Sequence, residues 1–345
     1  MARAPFVING EEIAPGERRS FALPLPGQSP FTPVSMPVHV IHGRRSGPVL
    51  FLSAALHGDE INGIEIIRQI LLQKSLARLR GTLICVPIVN MFGFLNHTRY
   101  LPDRRDLNRS FPGALHGSLA SRTARVFAQE IVDRSDYGID LHTGANHRNN
   151  LPHVRTNLED ERCHELAVAF GTPVIINANL RDGSLRQYAL DQGIPMLLYE
   201  AGEALRFDPL SIRAGVRGIL NVMRKVEMLR TRPKRGAKEH PVIEAKMSRW
   251  VRAPQTGLLR TSAKLGERIE RGAPIGVIAD PLGENETPVV APFTGIIIGR
   301  NNLPAVNEGD ALFHMASFAD SLTVEGTLET FHEDQLEGLA PGDYV

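Results

Sequence analysis

The chain has 345 residues, a formal net charge of +1, 42% hydrophobic residues and 22% charged residues. These values are ordinary for a globular protein, and the length exceeds one typical domain, so two domains are expected. The nearly neutral charge argues against a role that depends on bulk attraction to nucleic acid or to a membrane surface. The sequence shows neither a signal-peptide pattern nor an apolar stretch long enough to cross a membrane, so we expect a cytoplasmic protein.

The first part of the chain alternates strand patterns with helical patterns. Residues 1–35, which are rich in Pro and Gly, predict an edge hairpin or an extended arm. Residues 37–42 and 49–56 predict two adjacent strands, residues 60–79 a helix, and residues 81–90 another buried strand. This alternation indicates a largely parallel sheet with right-handed crossovers.

The alternation continues after a long irregular segment over residues 91–117. Loops of this length in compact domains usually carry function or are disordered. Beyond the segment we predict, in order, helix 118–133, strand 137–142, strands 173–177 and 195–199, and helix 209–229. The pattern therefore predicts an α/β fold with a mixed, mostly parallel twisted sheet flanked by helices.

The last third of the chain has a different composition. Residues 231–240 are basic and contain Pro and Gly, which favours a solvated linker between domains. The pattern Ala-Pro-x-Thr-Gly then occurs at 253–257 and again at 291–295, followed each time by a strand-like run and a Gly-acidic turn. We therefore predict an α/β domain over 1–235 and an all-β, barrel-sandwich-like domain over 241–345.

A histidine and a glutamate follow the strand predicted over 49–56. His57 and Glu60 lie where this strand gives way to a helix, and function in open α/β sheets collects at the carboxyl ends of strands. Three residues apart in a turn, the two side chains can reach one divalent metal ion. A catalytic zinc site takes three protein ligands, and two histidines with a glutamate are a known set. The alternative is a helix-capping glutamate beside a hydrogen-bonded histidine.

Two further strand ends supply candidate partners. His142 ends the strand over 137–142 and is the candidate third ligand, while Asp140 on the same face can accept the other ring N–H of a ligand histidine. Glu200 follows the strand over 195–199 and is the candidate general base, since a carboxylate there can pass a proton from water to a leaving nitrogen. The alternatives are a buried Asp–His pair without metal and an ordinary acid after a strand.

The long segment also contains candidate substrate-binding side chains. Arg109 can hold a carboxylate through two parallel hydrogen bonds, and Asn108 can add another. Arg99 can stabilise the negative charge that develops on a carbonyl oxygen in a transition state. The remaining arginines nearby in the sequence are interpreted as ordinary surface charges: Arg104, Arg105 and Arg148.

Five motifs, in this order, resemble the succinylglutamate desuccinylase/aspartoacylase family, which belongs to the wider zinc carboxypeptidase superfamily. The resemblance covers roughly residues 35–230. The motifs are His57-Gly58-Asp59-Glu60, Thr98-Arg99-Tyr100, Asp106-Leu107-Asn108-Arg109, Asp140-Leu141-His142-Thr143-Gly144 and the glutamate of Leu198-Tyr199-Glu200-Ala201-Gly202. Each motif is weak alone, and the joint signal comes from their order and their placement at strand ends and in one loop.

The resemblance implies a zinc-hydrolase catalytic domain that hydrolyses the amide bond of a small N-acyl amino acid and releases a carboxylate and a free amino acid. It implies one zinc ion per chain, a general base and several substrate-binding side chains: zinc on His57, Glu60 and His142, Glu200 as the base, and Arg99, Asn108, Arg109 and Arg186 on substrate oxygens. It also implies a C-terminal domain that leans over the active site and restricts access by polypeptides.

Two other functions stay open from the sequence. One is a metallocarboxypeptidase that acts on short or γ-linked peptides, and the other is a non-catalytic homologue that binds a ligand in the same pocket. We expect a small-molecule substrate and neither a nucleic-acid nor a membrane partner. The sequence does not define the acyl group or the amino acid, and it leaves open whether the chain forms a homo-oligomer.

Overall fold

The computed structural model describes residues 3–27, 31–178, 180–231, 243–319, 326–328 and 330–331. Apart from Thr231, the predicted linker lies outside the described residues. The strands are β1 (Phe6–Ile8), β2 (Glu11–Ile13), β3 (Arg18–Pro24), β4 (Ser35–His42), β5 (Arg45–Ala54), β6 (Arg80–Val86), β7 (Tyr137–Gly144), β8 (Arg148–Thr156), β9 (Val174–Asn177), β10 (Met196–Glu203), β11 (Ile243–Ala245), β12 (Met247–Arg252), β13 (Gly257–Thr261), β14 (Arg268–Ile269), β15 (Pro274–Ala279), β16 (Thr287–Val290), β17 (Gly295–Asn301), β18 (Ala305–Val306) and β19 (Ala311–Ser317). The helices are α1 (Asn62–Leu71), α2 (Met91–Leu95), α3 (Leu119–Glu130), α4 (Glu161–Phe170), α5 (Leu185–Asp191) and α6 (Pro209–Lys225).

The main sheet runs in the order β12-β19-β17-β8-β10-β7-β5-β6-β4-β3. Strands β6, β5, β7 and β10 are parallel neighbours at its centre. Antiparallel pairs, β10 with β8 and β6 with β4, flank this parallel group. The predicted fold class, a mixed sheet flanked by helices, is confirmed.

Apolar residues on the two faces of the sheet form two separate cores. On β5, Leu50 and Leu52 belong to the core that includes α1, α4 and α6, whereas Phe51 belongs to the core that includes α3 and α5. Successive side chains of a strand point to opposite faces, so a continuously apolar strand must be covered on both sides. The central strands are therefore fixed in position by helices packed above and below them.

The predicted pairing of the strands over 37–42 and 49–56 is wrong. The first is β4, which pairs with β3 and β6, and the second is β5, which pairs with β6 and β7. The strand β6 therefore lies between them. Five consecutive buried residues end β5, while β4 begins with alternating half-buried and buried residues, so the central position suits β5 better.

The helix predicted over 60–79 is shorter in the structure. It ends at Leu71, and Gln73 adopts an extended conformation with φ −67° and ψ 121°. A short 3-10 turn follows over Lys74–Arg78 and places Leu76 and Leu79 in the core. Among the described residues, no helix is long and apolar enough to span a membrane.

The sequence analysis missed β8 altogether. This strand pairs with β10 on one side and with β17 and β9 on the other, so it lies inside the sheet. It contains Pro152, a residue that argues against an interior strand because it cannot donate a backbone hydrogen bond. The pairings on both sides of β8 involve residues before and after this proline, so the strand is retained around it.

Residues 243–319, called here the C-terminal β-region, form two sheets with a shared core. Strands β13, β15, β16 and β18 form a separate four-stranded sheet, whereas β12, β19 and β17 extend the main sheet. Leu259 and Ile275 from the small sheet pack in one cluster with Phe313 from the main sheet. The predicted all-β character of the C-terminal part is confirmed for these residues.

We predict that Phe127→Ala lowers the free energy of unfolding by about 3–5 kcal/mol, because it removes a large buried ring and leaves a cavity. Phe127 is fully buried, and its ring meets those of Phe51 and Phe111 edge-on at centroid distances of 6.0 and 6.1 Å. Urea denaturation followed by circular dichroism measures the change. The control is Leu282→Ala at a side chain that is 83% exposed, for which less than about 0.5 kcal/mol is expected. A loss below about 1 kcal/mol for Phe127→Ala would contradict the prediction.

Candidate metal centre and substrate pocket

The site lies at the carboxyl ends of three neighbouring parallel strands. His57 and Glu60 follow β5, His142 lies near the end of β7, and Glu200 lies in β10 directly opposite His142 in the strand register. Strands β5 and β7 are also direct neighbours, with Ala54 opposite Leu141. Parallel pairing therefore brings together side chains that are up to 143 residues apart, from His57 to Glu200.

A buried carboxylate joins two histidines. Glu60 Oε1 lies 2.7 Å from His57 Nδ1, and Glu60 Oε2 lies 2.7 Å from His142 Nδ1. One donor atom from each of these residues lies within 4.8 Å of the others, and all three residues are buried. The structure thus brings together the three residues that the sequence analysis named as metal ligands.

The outward nitrogens of both histidines face further carboxylates. His142 Nε2 donates to Asp140 Oδ2 at 2.6 Å, and the Ser53 hydroxyl donates to the other oxygen of Asp140 at 2.7 Å. His57 Nε2 lies 3.2 Å from Asp106 Oδ1. Histidines that bind metals usually donate their second ring N–H to a carboxylate, which fixes the tautomer and the ring orientation. This donor set fits a divalent cation of the kind that imidazole and carboxylate groups hold.

The charges of the cluster shift its protonation equilibria strongly. Burial alone would lower the pKa of His57 and His142, but the neighbouring carboxylates outweigh burial and raise both, with that of His142 well above its ordinary value. Burial alone would raise the pKa of Glu60, but the two histidines hold it well below its usual range. A carboxylate therefore stays ionised between the rings, and a cation held by these three residues would take the place of protons.

Arg99 lies beside this cluster. Its Nη2 and Nε atoms donate to Asp106 Oδ2 at 2.9 and 3.2 Å, while Nη1 lies 3.4 Å from Glu60 Oε1. Burial opposes the charge of Arg99, but Glu60 and Asp106 outweigh it and raise the pKa of the guanidinium. Asp106 thus orients Arg99 and also contacts His57, which links the long segment to the candidate metal centre.

A cavity of about 210 Å³ opens over the cluster. Every site residue predicted from the sequence lies in its walls. The residues that line it are His57, Glu60, Arg99, Asn108, Arg109, Asp140, His142, Thr143, Gly144, Ala145, Arg148, Asn150, Arg155, Arg181, Ser184, Arg186, Met196, Leu198, Glu200 and Trp250. The lining contains six arginines and only three carboxylates, two of which, Glu60 and Asp140, contact His142. The pocket is therefore suited to an anionic ligand.

The predicted substrate-binding residues are held in different ways. Asn108 Oδ1 accepts from the backbone N–H of Leu185 at 2.9 Å, which leaves its amide NH₂ as the part that can donate to a ligand. Arg186 donates to the carbonyl oxygen of Ala178 at 3.3 Å. Burial, reinforced by neighbouring Arg155, lowers the pKa of Arg186 to about 10, so this group is still charged at neutral pH.

The sequence analysis did not identify several residues of the pocket as site residues, and four of them lie on strands that bring distant parts of the chain to the site. Arg148, Asn150 and Arg155 belong to the missed strand β8, and Trp250 belongs to β12 of the C-terminal β-region. The interpretation of Arg148 as an ordinary surface charge is wrong, because the residue is half-buried and lines the cavity, where its guanidinium carbon lies 5.3 Å from the centroid of the Trp250 ring. Arg104 and Arg105 are exposed, as predicted. Trp250 is the single tryptophan of the sequence, which could have marked it as a candidate, but no neighbouring motif indicates that it lies near the site.

Fold and site together define an α/β protein with a candidate metal centre at the carboxyl ends of its parallel strands. A family model described as the succinylglutamate desuccinylase/aspartoacylase catalytic domain matches residues 46–226, which is more than half of the chain. The chain belongs to this family. The resemblance drawn from the five motifs is confirmed.

Relatives extend the likeness beyond the catalytic domain. The N-alpha-acetyl-L-2,4-diaminobutyric acid deacetylase of Halomonas elongata is 29% identical over 308 residues, covering 86% of this chain and 89% of the relative. A crystal structure of a succinylglutamate desuccinylase/aspartoacylase from Rhodobacter sphaeroides is similar with a TM-score of 0.79 and 25% identity, covering 87% of this chain and 96% of that one. The product-bound ectoine utilization protein EutE (DoeB) from Ruegeria pomeroyi shares the fold, with a TM-score of 0.77, 24% identity and coverages of 87% and 94%.

The rings of Trp250 and His314 form a stack beneath Arg148. The Trp250 ring lies parallel to the buried His314 ring at a centroid distance of 4.9 Å and an interplanar angle of 8°. Burial, with smaller contributions from His153 and Arg155, lowers the pKa of His314 to about 3. The unfolded chain binds a proton at this residue below about pH 6.5, whereas the folded chain does not until about pH 3. The contribution of His314 to the free energy of unfolding is therefore present above about pH 6.5, the pKa in the unfolded chain, and is lost as the pH falls toward about 3.

We predict that His314→Phe, which keeps an aromatic ring against Trp250, makes the urea midpoint fall less between pH 7.5 and pH 5 than in the wild type. Both proteins are measured after treatment with a chelator, so that release of metal at low pH does not contribute. His116→Phe at an exposed histidine is the control and should keep the wild-type dependence. Equal falls in the wild type and His314→Phe would contradict the prediction.

Proposed function

We propose that this protein is a zinc-dependent amidohydrolase that removes the acyl group from a small N-acyl amino acid. The observation that carries the proposal is the convergence, in one cavity of about 210 Å³, of a His-Glu-His donor set, two additional carboxylates and six arginines. The family includes desuccinylases and aspartoacylases by its description, and a curated relative is a deacetylase of an acylated amino acid. Both names describe hydrolysis of an amide bond.

The candidate zinc ligands are His57, Glu60 and His142. Two imidazoles and one carboxylate are a ligand set used by catalytic zinc sites, which keep a further position open. When bound, zinc supplies Lewis acidity, which activates water and polarises an amide carbonyl. The carboxylates of Asp140 and Asp106 support the assignment because each contacts the outward nitrogen of one histidine.

Glu200 is proposed as the general base. It lines the same cavity, in direct register with His142 on the neighbouring strand, and is not part of the His-Glu-His cluster. Its carboxylate takes the proton of the attacking water and transfers it to the amide nitrogen as the carbon–nitrogen bond breaks. The leaving group then departs as a neutral amine rather than as an amide anion.

The arginines are proposed to bind and orient the substrate. Arg99 Nη1 faces the cluster and is placed to stabilise negative charge on the carbonyl oxygen. Arg109, with the amide of Asn108, is placed to hold a carboxylate of the substrate. Arg186 contributes a buried positive charge to the same cavity.

The walls of the pocket favour a small substrate over a polypeptide. A volume of about 210 Å³ is below the usual range of about 300–1,000 Å³ for pockets that hold drug-sized ligands. Trp250 from the C-terminal β-region forms part of the wall, so this region limits the space above the site. The arginine-rich lining also suits a metallocarboxypeptidase that binds the terminal carboxylate of a short or γ-linked peptide, which is the second candidate function.

The first test measures amine release from a panel of N-acyl amino acids, with acetyl, succinyl and longer acyl groups on acidic, basic and neutral residues. We expect turnover of at least one member, and loss of that turnover after treatment with a chelator. Dipeptides and γ-linked peptides in the same assay separate the two candidate reactions. Turnover of peptides alone would favour the carboxypeptidase, and binding without turnover of any compound would favour a non-catalytic homologue.

A second prediction concerns the base. Glu200→Gln is expected to lower kcat by about two orders of magnitude or more, because the amide cannot accept the proton. The metal content per chain should be unchanged, since Glu200 lies outside the candidate ligand set. Elemental analysis of the purified variant provides this control. Turnover close to that of the wild type would exclude Glu200 as the base.

A third prediction concerns the metal. The wild type is expected to contain about one zinc ion per chain, as a site with three protein ligands implies, and His142→Ala should lose most of it. His97→Ala, at an exposed histidine outside the cavity, is the matched control and should retain the metal. Full zinc occupancy in the His142→Ala variant would show that the assignment is wrong.

A further inference from the structure

Glu200 is held by a neighbouring strand. Asn150 Nδ2 donates to Glu200 Oε2 at 2.6 Å, and Arg155 Nη1 lies 3.8 Å from Glu200 Oε1. The contact with Asn150 is much the shorter of the two and is a hydrogen bond to a charged acceptor, a strong class of hydrogen bond. Asn150 is only 8% exposed, so solvent competes little for this donor.

The position of Asn150 depends on the C-terminal β-region. In the pairing of β17 with β8, Gly299 lies directly opposite Asn150. A Cβ atom on Gly299 would lie 2.7 Å from Asn150 Oδ1 and 3.2 Å from the Cβ of His314. Real Cβ atoms essentially never lie as close as 2.7 Å to another heavy atom. Any side chain at position 299 would therefore displace the amide of Asn150.

A row of side chains therefore crosses the sheet to the proposed base. Trp250 pairs with His314, His314 with Gly299, and Gly299 with Asn150 in successive strand registers. Directly paired residues share a face of the sheet, so the row lies on the side that faces the pocket. The indole ring packs on the imidazole, and the glycine leaves the space in which the Asn150 amide can turn toward Glu200.

We propose that Asn150 is a positioning residue for Glu200 and that Gly299 provides the space for it. Through this contact the C-terminal β-region contributes to the orientation of the base as well as to the wall of the pocket. The carboxylate keeps one oxygen on the amide, and the other is directed by this hydrogen bond toward the substrate. The proposal rests on the proposed role of Glu200, and the experiments below separate the two.

The first experiment compares single variants in the amine-release assay. Asn150→Ala should lower kcat by about tenfold to a hundredfold, the range expected from loss of a hydrogen bond to a charged group. KM and metal content should change by less than about twofold, because substrate-binding groups and metal donors are untouched. Asn150→Asp keeps the shape of the side chain but removes the N–H group that donates to Glu200. Its kcat should be lowered at least as much as that of Asn150→Ala. The matched control is Asn149→Ala, because the side chain of Asn149 points to the opposite face of the sheet.

The second experiment uses double variants. In a Glu200→Gln background, Asn150→Ala should cause no further loss of the residual turnover, because the group that it positions is already disabled. Gly299→Ala should lower kcat in the wild-type background and have little further effect once residue 150 is alanine. A purely structural role of Asn150 would instead cause a similar additional loss in each background.

The outcomes distinguish the inference from the function. If Glu200→Gln is inactive while Asn150→Ala keeps kcat within about threefold of the wild type, only the positioning role is overturned. If Asn150→Ala lowers kcat equally in the wild-type and Glu200→Gln backgrounds, the loss is structural and the inference is again overturned. Full activity of Glu200→Gln overturns the proposed role of Glu200 as the base and this inference with it, whereas a wild type without turnover overturns the proposed function itself.

Discussion

The carboxylate of Glu60, buried between His57 and His142, is the interaction on which the rest of the site depends. A fully buried charge is costly unless it is paired, and here each oxygen contacts one imidazole. The two rings in turn meet Asp106 and Asp140, so the cluster is fixed from both sides. The main sheet makes this possible, because β5 and β7 are parallel neighbours and deliver these groups to the same edge.

The antiparallel pair of β8 and β17 is the second constraint. It joins the C-terminal β-region to the main sheet through backbone hydrogen bonds rather than through a surface contact between separate bodies. Asn302 Nδ2 adds a bond of 2.8 Å to Glu203, which lies three residues after Glu200 on β10. One wall of the pocket is therefore part of the main sheet, and Trp250 is placed by the same sheet that places the candidate metal centre.

The sequence was sufficient for the α/β class and for the convergence of His57, Glu60 and His142, because strand ends and motif order are local signals. It was not sufficient for the order of β4, β6 and β5, which depends on long-range packing and on how completely each strand is buried. The strand β8 was missed because Pro152 lies in its middle, and tertiary pairing on both sides overrides that local signal. Asn150 and Trp250 were not identified because the residues that they pair with, Gly299 and His314, are distant in sequence.

The continuity of the main sheet also bears on where the chain can be shortened. If residues 243–319 were absent, the part of β8 that pairs with β17, from Arg148 to Asn150, would become an open edge. The strand β9 would lose its partner β11 at the same time. Unpaired strand edges are templates for association with other chains. The C-terminal β-region thus covers edges of the main sheet that would otherwise be open to association, and a truncated chain would carry the candidate metal ligands on a scaffold prone to self-association.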